Sequence, residues 1–314
     1  MITADLRRAI LAAAGHDHDP LLRPGPQPGR YTSSLPFRLS KQAAEALAAT
    51  LSAESWIENA GLNGYLTVTV THDALAGLAV RITRAGPACA ASDALAGRTV
   101  PRPAGTDPAA APDWPSARAA LAAQLTARLA ATAGATTIFY AERDVVPPPA
   151  PASPLPAAVA YAGPDAVRFA LARTPPGGTP PDAAVIARHV LGNPAYAVRY
   201  AHAAAAAVLR WAATLGRWPA GFQPRLLVGP AELALLDALS WLPERVAMAA
   251  RRGRPDEFAG YLEELAARTI DTMSTTGFTT IPDISSERLW LADAARTALA
   301  AGLGLLGVGA PERT

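Results

Sequence analysis

The chain has 314 residues, half of them apolar and 17% charged, with a formal net charge of +2. That length allows one large or two ordinary domains with real cores, and the near-neutral balance excludes nucleic-acid binding through a global field, leaving only local basic patches. The single cysteine, Cys89, excludes an intrachain disulfide framework or a cysteine zinc site.

Taken in order, Thr3 or Asp5 can cap a first amphipathic helix that ends near Gly15. The loop LLRPGPQPGRY follows, and then SLPFRLSKQAAEALAATLSAESWI reads as one or two helices. GYLTVTVT alternates strictly and predicts a strand, and LAVRIT fits a second one. Residues 1–85 therefore read as a small α+β unit. From Ala85 to Ser116 the composition predicts an irregular connection. ARAALAAQLTARLAATAG is a helix, TTIFYAERDV fits a strand, and VVPPPAPASPLPAA carries proline too densely for either, so it reads as an extended linker. Beyond it PDAVRFALAR, PPDAAVIARHVL, the run from Asn193 to Trp211, PAELALLDALSWL, ERVAMAARRG, EFAGYLEELAARTIDTM and ERLWLADAARTALAAGLGLLG all read as helices. The predicted fold class is multidomain: a small N-terminal α+β domain (1–85), an insert with a proline-rich linker (86–158) and a C-terminal all-α helical bundle (159–314).

The N-terminus MITADLRRAILAAAG lacks the apolar core of a signal peptide, and no later segment is an uninterrupted apolar span. A soluble, cytoplasmic protein without a membrane partner is expected. No G-x-x-x-x-G-K-[ST] or G-x-G-x-x-G loop is present. GHDHD, with His16, Asp17, His18 and Asp19, has no third ligand nominated by spacing and reads as a solvated loop, so no metal is assigned. Glu263 and Glu264 are adjacent on a helix, point about 100° apart, and read as a solvated face. Lys41 is the only lysine; GC-rich codon usage explains that as simply as selection for phosphate-binding guanidinium forks.

The stretch PDAVRFALAR and, further on, NPAYAVRYAHA resemble arginyl-tRNA synthetase. That family closes its catalytic domain with a G-x-D-A-x-R-[FY] helix, matched here by Gly163, Asp165, Ala166, Arg168 and Phe169. It opens its anticodon-binding domain with N-P-x-[FY]-Y-V-Q-Y-A-H-A-R, matched by Asn193, Pro194, Tyr196, Val198, Tyr200, Ala201, His202 and Ala203. The tail GLGLLGVGAPERT is similar to the family's L-L-G-x-x-x-P-E-x-M ending, and GRYTSSLPFRLSKQA with GYLTVTV is similar to its N-terminal domain, which contacts the tRNA elbow. Only about 80 residues separate the two resembling parts, too few for the nucleotide-binding catalytic fold. The five histidines form no H-x-G-H, and Lys41 belongs to no K-M-S-K-S-like signature. The chain is thus similar to stand-alone, DALR-type anticodon-binding relatives of the synthetase without its core.

The resemblance implies a non-catalytic tRNA-binding protein, with arginine tRNA as the partner, no cofactor and no DNA. Tyr196, Arg199 and Tyr200 share one helix face, suited to stacking a splayed base and pairing a phosphate; packing inside the bundle fits the same spacing. His202 fits either a buried hydrogen-bonded role or RNA contact. Tyr65, Arg38, Lys41, Arg210, Arg251, Arg252 and Arg254 complete the RNA-binding candidates, with ARRGRPDE the densest basic spot; a helix C-terminus with favourable positive charge explains that cluster equally. Relative to the family pattern, aromatic or polar positions are replaced by Ala197, Arg199, Ala204, Thr272 and Met273, and by Thr67 and Val68 in the leading unit. These losses weaken selective base reading and favour the alternative, a protein-interaction scaffold that reuses the fold without RNA.

Overall fold

The structure is a computed structural model that describes residues 1–15, 19–103, 107, 110–139, 154–178, 182–280 and 283–313. The N-terminal unit opens with α1 (Ile2–Ala14), stopped by Gly15 in the left-handed conformation. β1 (Leu22–Pro24), β2 (Arg30–Ser33), β3 (Ile57–Asn63) and β4 (Tyr65–Val70) form an antiparallel sheet in the order β1-β2-β4-β3. β4 buries Leu66, Val68 and Val70 and turns Tyr65, Thr67 and Thr69 outward, as its alternation dictates. The β3–β4 hairpin closes at Asn63-Gly64, where Gly64 has φ 85°, a conformation a β-carbon would disfavour. Ser40 caps α2 (Lys41–Ser52), which packs its Ala44, Leu47 and Leu51 face on β3.

LAVRIT is not a strand. Thr71 caps α3 (His72–Ala76), and α4 (Leu78–Ala85) follows, burying Leu78, Ala79 and Ile82 at helical spacing against the last helix of the chain. The apolar i, i+4 stripe overrides the short alternation because only the helix presents all three residues to one neighbour. The segment expected to be irregular holds a 3-10 turn at Gly86–Ala90, which buries Cys89, and a short strand β5 (Thr99–Arg102). After α5 (Trp114–Thr132), β6 (Thr136–Phe139) lies parallel to β5. The rest of TTIFYAERDV, and the linker through Ala152 and Ser153, lie outside the described residues. The linker's end is helical: Pro156 is tolerated in the first turn of α6 (Leu155–Ala162) because no amide bond is needed there.

The remaining chain is helical: α7 (Pro164–Arg173), α8 (Ala183–Ile186), α9 (Pro194–Thr214), α10 (Pro230–Ser240), α11 (Leu242–Arg252), α12 (Pro255–Met273), α13 (Thr276–Thr279) and α14 (Ser286–Leu306). PPDAAVIARHVL yields only the single turn of α8, since Asn193 Nδ2 takes the Ile186 and Arg188 carbonyls, each at 2.7 Å, that a longer helix would use. α14 has a mean hydropathy of 1.3 and is long enough to cross a membrane by composition, yet most of it is buried against α9, α12 and α4. Gly302 lets it approach α12; a β-carbon there would collide with Leu262.

A polar seam joins the sheet unit to the bundle. Tyr31 Oη donates to Ser240 Oγ at 2.8 Å, Thr3 Oγ1 to the Ser240 carbonyl at 2.6 Å, and the Gly29 amide to Asp237 at 2.9 Å. Beside them Arg7 grips Glu244 through Nε and Nη2, and the Tyr31 and Trp241 rings lie 5.4 Å apart.

Candidate nucleic-acid interface

The Asn193-Pro194 pair starts α9 for two reasons: Asn193 Oδ1 accepts the Ala195 amide, and proline has no amide to leave unbonded at N1. Val198, Ala201, Ala205, Val208 and Ala212 then face the core. Tyr196 and Tyr200 are left half-buried on the outer side. Their rings stack with centroids 5.8 Å apart and planes 27° from parallel. His189, exposed in the loop before α9, stacks on Tyr196 at 5.3 Å and 13°. A three-ring ladder results.

The ladder runs into a groove of about 600 Å³ between α9 and α12. Tyr200, Ala204, Ala207 and Trp211 line one wall at helical spacing, with Ile270 and Met273 from α12 and with Arg210 and Arg313 also in the lining. Trp211 is 57% exposed. Alanine at 204 and 207 keeps the groove open where longer side chains would fill it. An amphipathic groove with exposed rings and guanidinium groups is chemically suited to unstacked bases joined by phosphates.

The other candidates are placed differently. Arg199 is half-buried, its Nη2 3.9 Å from Asp165, and its Nε finds no partner. His202 is buried; its Nδ1 donates to the Pro311 carbonyl at 2.8 Å, and burial holds the imidazole below its usual pKa. Arg210 donates to the Glu312 carbonyl. Both residues therefore fasten the C-terminal tail to α9. In ARRGRPDE the charges are spent internally: Arg251 on Asp19 and Glu244, Arg252 on Glu257 at 3.0 Å, and Arg254 on both Asp256 oxygens at 2.9 and 2.6 Å. Thr272 is buried, its hydroxyl donating to the Ala231 carbonyl at 3.1 Å.

On the N-terminal unit, Tyr65 makes an edge-to-face pair with Phe37 at 5.1 Å, and both rings are exposed. Arg38 is exposed beside Phe37, and the Lys41 side chain is 91% exposed. The structure thus gathers Tyr196 and Tyr200 with Arg210 at one groove and Tyr65 with Arg38 at a second patch. His189, Trp211 and Phe37 are the rings that sequence reasoning missed. Trp211 carried a signal, falling eleven positions after Tyr200 on the same helix face; His189 carried none.

Residues 198–313 match the DALR anticodon binding domain. The DALR match begins in the first turns of α9 and runs through α14, so it contains the groove and Tyr200 but starts just after Tyr196. The arginine–tRNA ligase of Clavibacter sepedonicus is 42% identical over 157 residues, which are 48% of this chain and 28% of that protein. The arginine–tRNA ligase of Kineococcus radiotolerans is 40% identical over 158 residues, again 28% of its length. The C-terminal half is therefore homologous to the anticodon-binding part of arginyl-tRNA synthetase, and the chain matches under a third of these relatives' own length. Thermus thermophilus arginyl-tRNA synthetase aligns with the whole chain and 59% of its own, at 19% identity and a TM-score of 0.41.

Proposed function

We propose that this chain binds tRNA, with arginine tRNA as its partner, and does not charge it. The observation that carries this reading is the His189–Tyr196–Tyr200 ladder opening into the groove of the DALR domain. An anticodon loop offers unstacked bases, and stacking on aromatic faces is the sequence-tolerant way to hold them. Arg313 in the groove lining, with Arg210 beside it on the tail's Glu312, supplies positive charge for the connecting phosphates. The similarity of the C-terminal half to arginine–tRNA ligases supports arginine tRNA as the partner. The non-catalytic reading is supported by the short segment 86–158 between the two resembling parts, and by a sequence with neither H-x-G-H nor a K-M-S-K-S-like run. Such a protein would act in the cytoplasm by sequestering a tRNA or presenting it to another enzyme.

The test is a gel-shift titration against total tRNA at low salt, followed by sequencing of the RNA that co-purifies with the full chain. Arginine isoacceptors should be enriched, and arginine-dependent ATP–pyrophosphate exchange should be absent. No shift at low salt rejects the reading. The internal pairing of Arg251, Arg252 and Arg254 favours a second reading, a protein-interaction scaffold. Co-purification of one stoichiometric protein with no RNA selects it.

A further inference from the structure

A second cleft lies away from the DALR groove. It measures about 650 Å³ and sits where the end of β1, the residue before β5 and helix α11 meet. Its walls include Leu21, Leu22, Trp241 and Met248, and five guanidinium groups line it: Arg23, Arg98, Arg245, Arg251 and Arg252. The two carboxylates present, Asp19 and Glu244, are both taken up by Arg7 and Arg251. Arg252 pairs with Glu257. Arg23, Arg98 and Arg245 have no carboxylate partner among the described residues.

Three cations from distant parts of the chain, none in an ion pair with another described residue, raise the local potential well above that of a chain with a net charge of +2. Arg245 lies over the Trp241 and Tyr261 rings, with its carbon centre 5.6 and 5.9 Å from their centroids, and is thereby held at the wall rather than free in solvent. Its Nε and that of Arg251 are buried without a hydrogen-bond partner, an arrangement that costs free energy until an acceptor arrives. The Arg251 guanidinium is pushed down to about 10, first by burial and then by the neighbouring Arg7 and Arg252.

We infer that this cleft is a binding site for a phosphate-bearing ligand, gripped by Arg23, Arg98 and Arg245. Guanidinium forks bond phosphate oxygens in pairs, and the cleft is wide enough for two or three linked phosphates. The phosphates come either from an RNA backbone or from a free polyphosphate-bearing molecule. The RNA source rests on the tRNA reading above; the cleft itself does not.

The experiment uses the full chain and two probes, inorganic tripolyphosphate by calorimetry and a labelled anticodon stem–loop RNA by fluorescence polarisation. The variant Arg23→Gln/Arg98→Gln changes two exposed side chains without ion-pair partners among the described residues, so the fold survives; Tyr196→Ala/Tyr200→Ala alters the ladder and the groove wall and leaves this cleft's lining intact. Tripolyphosphate should bind the parent protein and bind Arg23→Gln/Arg98→Gln at least tenfold more weakly, with the ladder variant unaffected. A parallel loss of RNA affinity, with the log–log salt slope reduced by about 1.4 for two lost single-strand phosphate contacts, identifies the backbone as the source. Unchanged RNA binding beside lost tripolyphosphate binding identifies a free ligand. Tripolyphosphate binding with no RNA binding in any variant supports the cleft and rejects the tRNA reading. The inference is overturned if Arg23→Gln/Arg98→Gln matches the parent protein with both probes, including the salt slope, or if the parent protein binds neither.

Discussion

Tyr200 is the residue on which the ladder and the groove meet, and Tyr200→Ala is the sharpest test of the aromatic face. Its ring touches Tyr196 on one side and lines the groove on the other. Removal costs the fold little, because the ring is half-buried and the stacked pair contributes about 0.5–1.5 kcal/mol. Removal costs RNA binding more: a base stacked on an aromatic side chain contributes about 1–3 kcal/mol, so affinity for an arginine anticodon stem–loop should fall roughly 5- to 150-fold. Tyr200→Phe keeps the ring and should stay within about twofold. The salt dependence gives a second, independent readout. Stacking releases no counterions, so the slope of log affinity against log salt should not change in Tyr200→Ala. The assay is fluorescence polarisation at several salt concentrations, with thermal melting of each variant as the control for folding. A Tyr200→Ala protein that melts normally and binds RNA as tightly as its parent would refute the stacking argument. So would a reduced slope, which would mean that the ring was only holding a cation in place. Tyr196→Ala/Tyr200→Ala should cost less than the sum of the single changes, since neighbouring rings support each other's orientation.

Asn193→Ala should destabilise by about 2–4 kcal/mol, adding a lost helix cap to a buried Ile186 carbonyl and a part-buried Arg188 carbonyl without donors, and it should also weaken RNA binding by releasing the loop that carries His189; urea melts and the same binding assay read both. Glu244→Leu removes both acceptors that Arg7 and Arg251 share and leaves them only Asp19, and should destabilise the chain in chemical denaturation; Arg7→Met/Glu244→Leu, which removes both ends, should recover most of that loss. Burial lowers the pKa of His202, so the unfolded chain takes up a proton at about 6.5 that the folded chain refuses. Stability therefore falls as the pH drops below about 6.5 and levels off below the folded pKa; His202→Gln should flatten that segment of the curve, and an unchanged curve would show the imidazole to be exposed.

Legibility followed the range of the forces. α9 could be read because its cap, its N1 proline and its apolar spacing are all local to Asn193–Trp211. β4 could be read because YLTVTV alternates. β3 could not, since IENAGLN carries little β-propensity and becomes a strand by pairing with β4. LAVRIT misled because six residues satisfy both periods, and its partner, α14, lies two hundred residues away. The candidate site divides the same way. Tyr196 and Tyr200 share a face by spacing alone. His189 reaches them only because Asn193 pins the loop, a contact no periodicity announces. The basic cluster was visible as charge, but its partner Asp19 is 232 positions from Arg251. A run of arginines in sequence thus became a set of internal ties, while Arg23 and Arg98, isolated in sequence, converged on a cleft.

The seam between the sheet unit and the bundle has a consequence for binding. Thr3 and Tyr31 spend buried hydrogen bonds across it and Asp237 a part-buried one, and the Arg7–Glu244 pair would leave two desolvated charges if it opened. Net contributions of about 0.5–1.5 kcal/mol for each neutral bond, with the buried ion pair beside them, make separation of the two units costly. The Phe37–Tyr65 patch and the Tyr196–Tyr200 ladder are then held at a fixed separation. Fixed separation selects ligands. An RNA whose loop and elbow match that spacing gains the second contact without a further loss of translational freedom, and its affinity rises by orders of magnitude over either contact alone. A bare stem–loop has no elbow to offer the second patch. Full-length tRNA should therefore outcompete its own anticodon arm, and Tyr65→Ala should lower the affinity of the tRNA while leaving that of the stem–loop untouched.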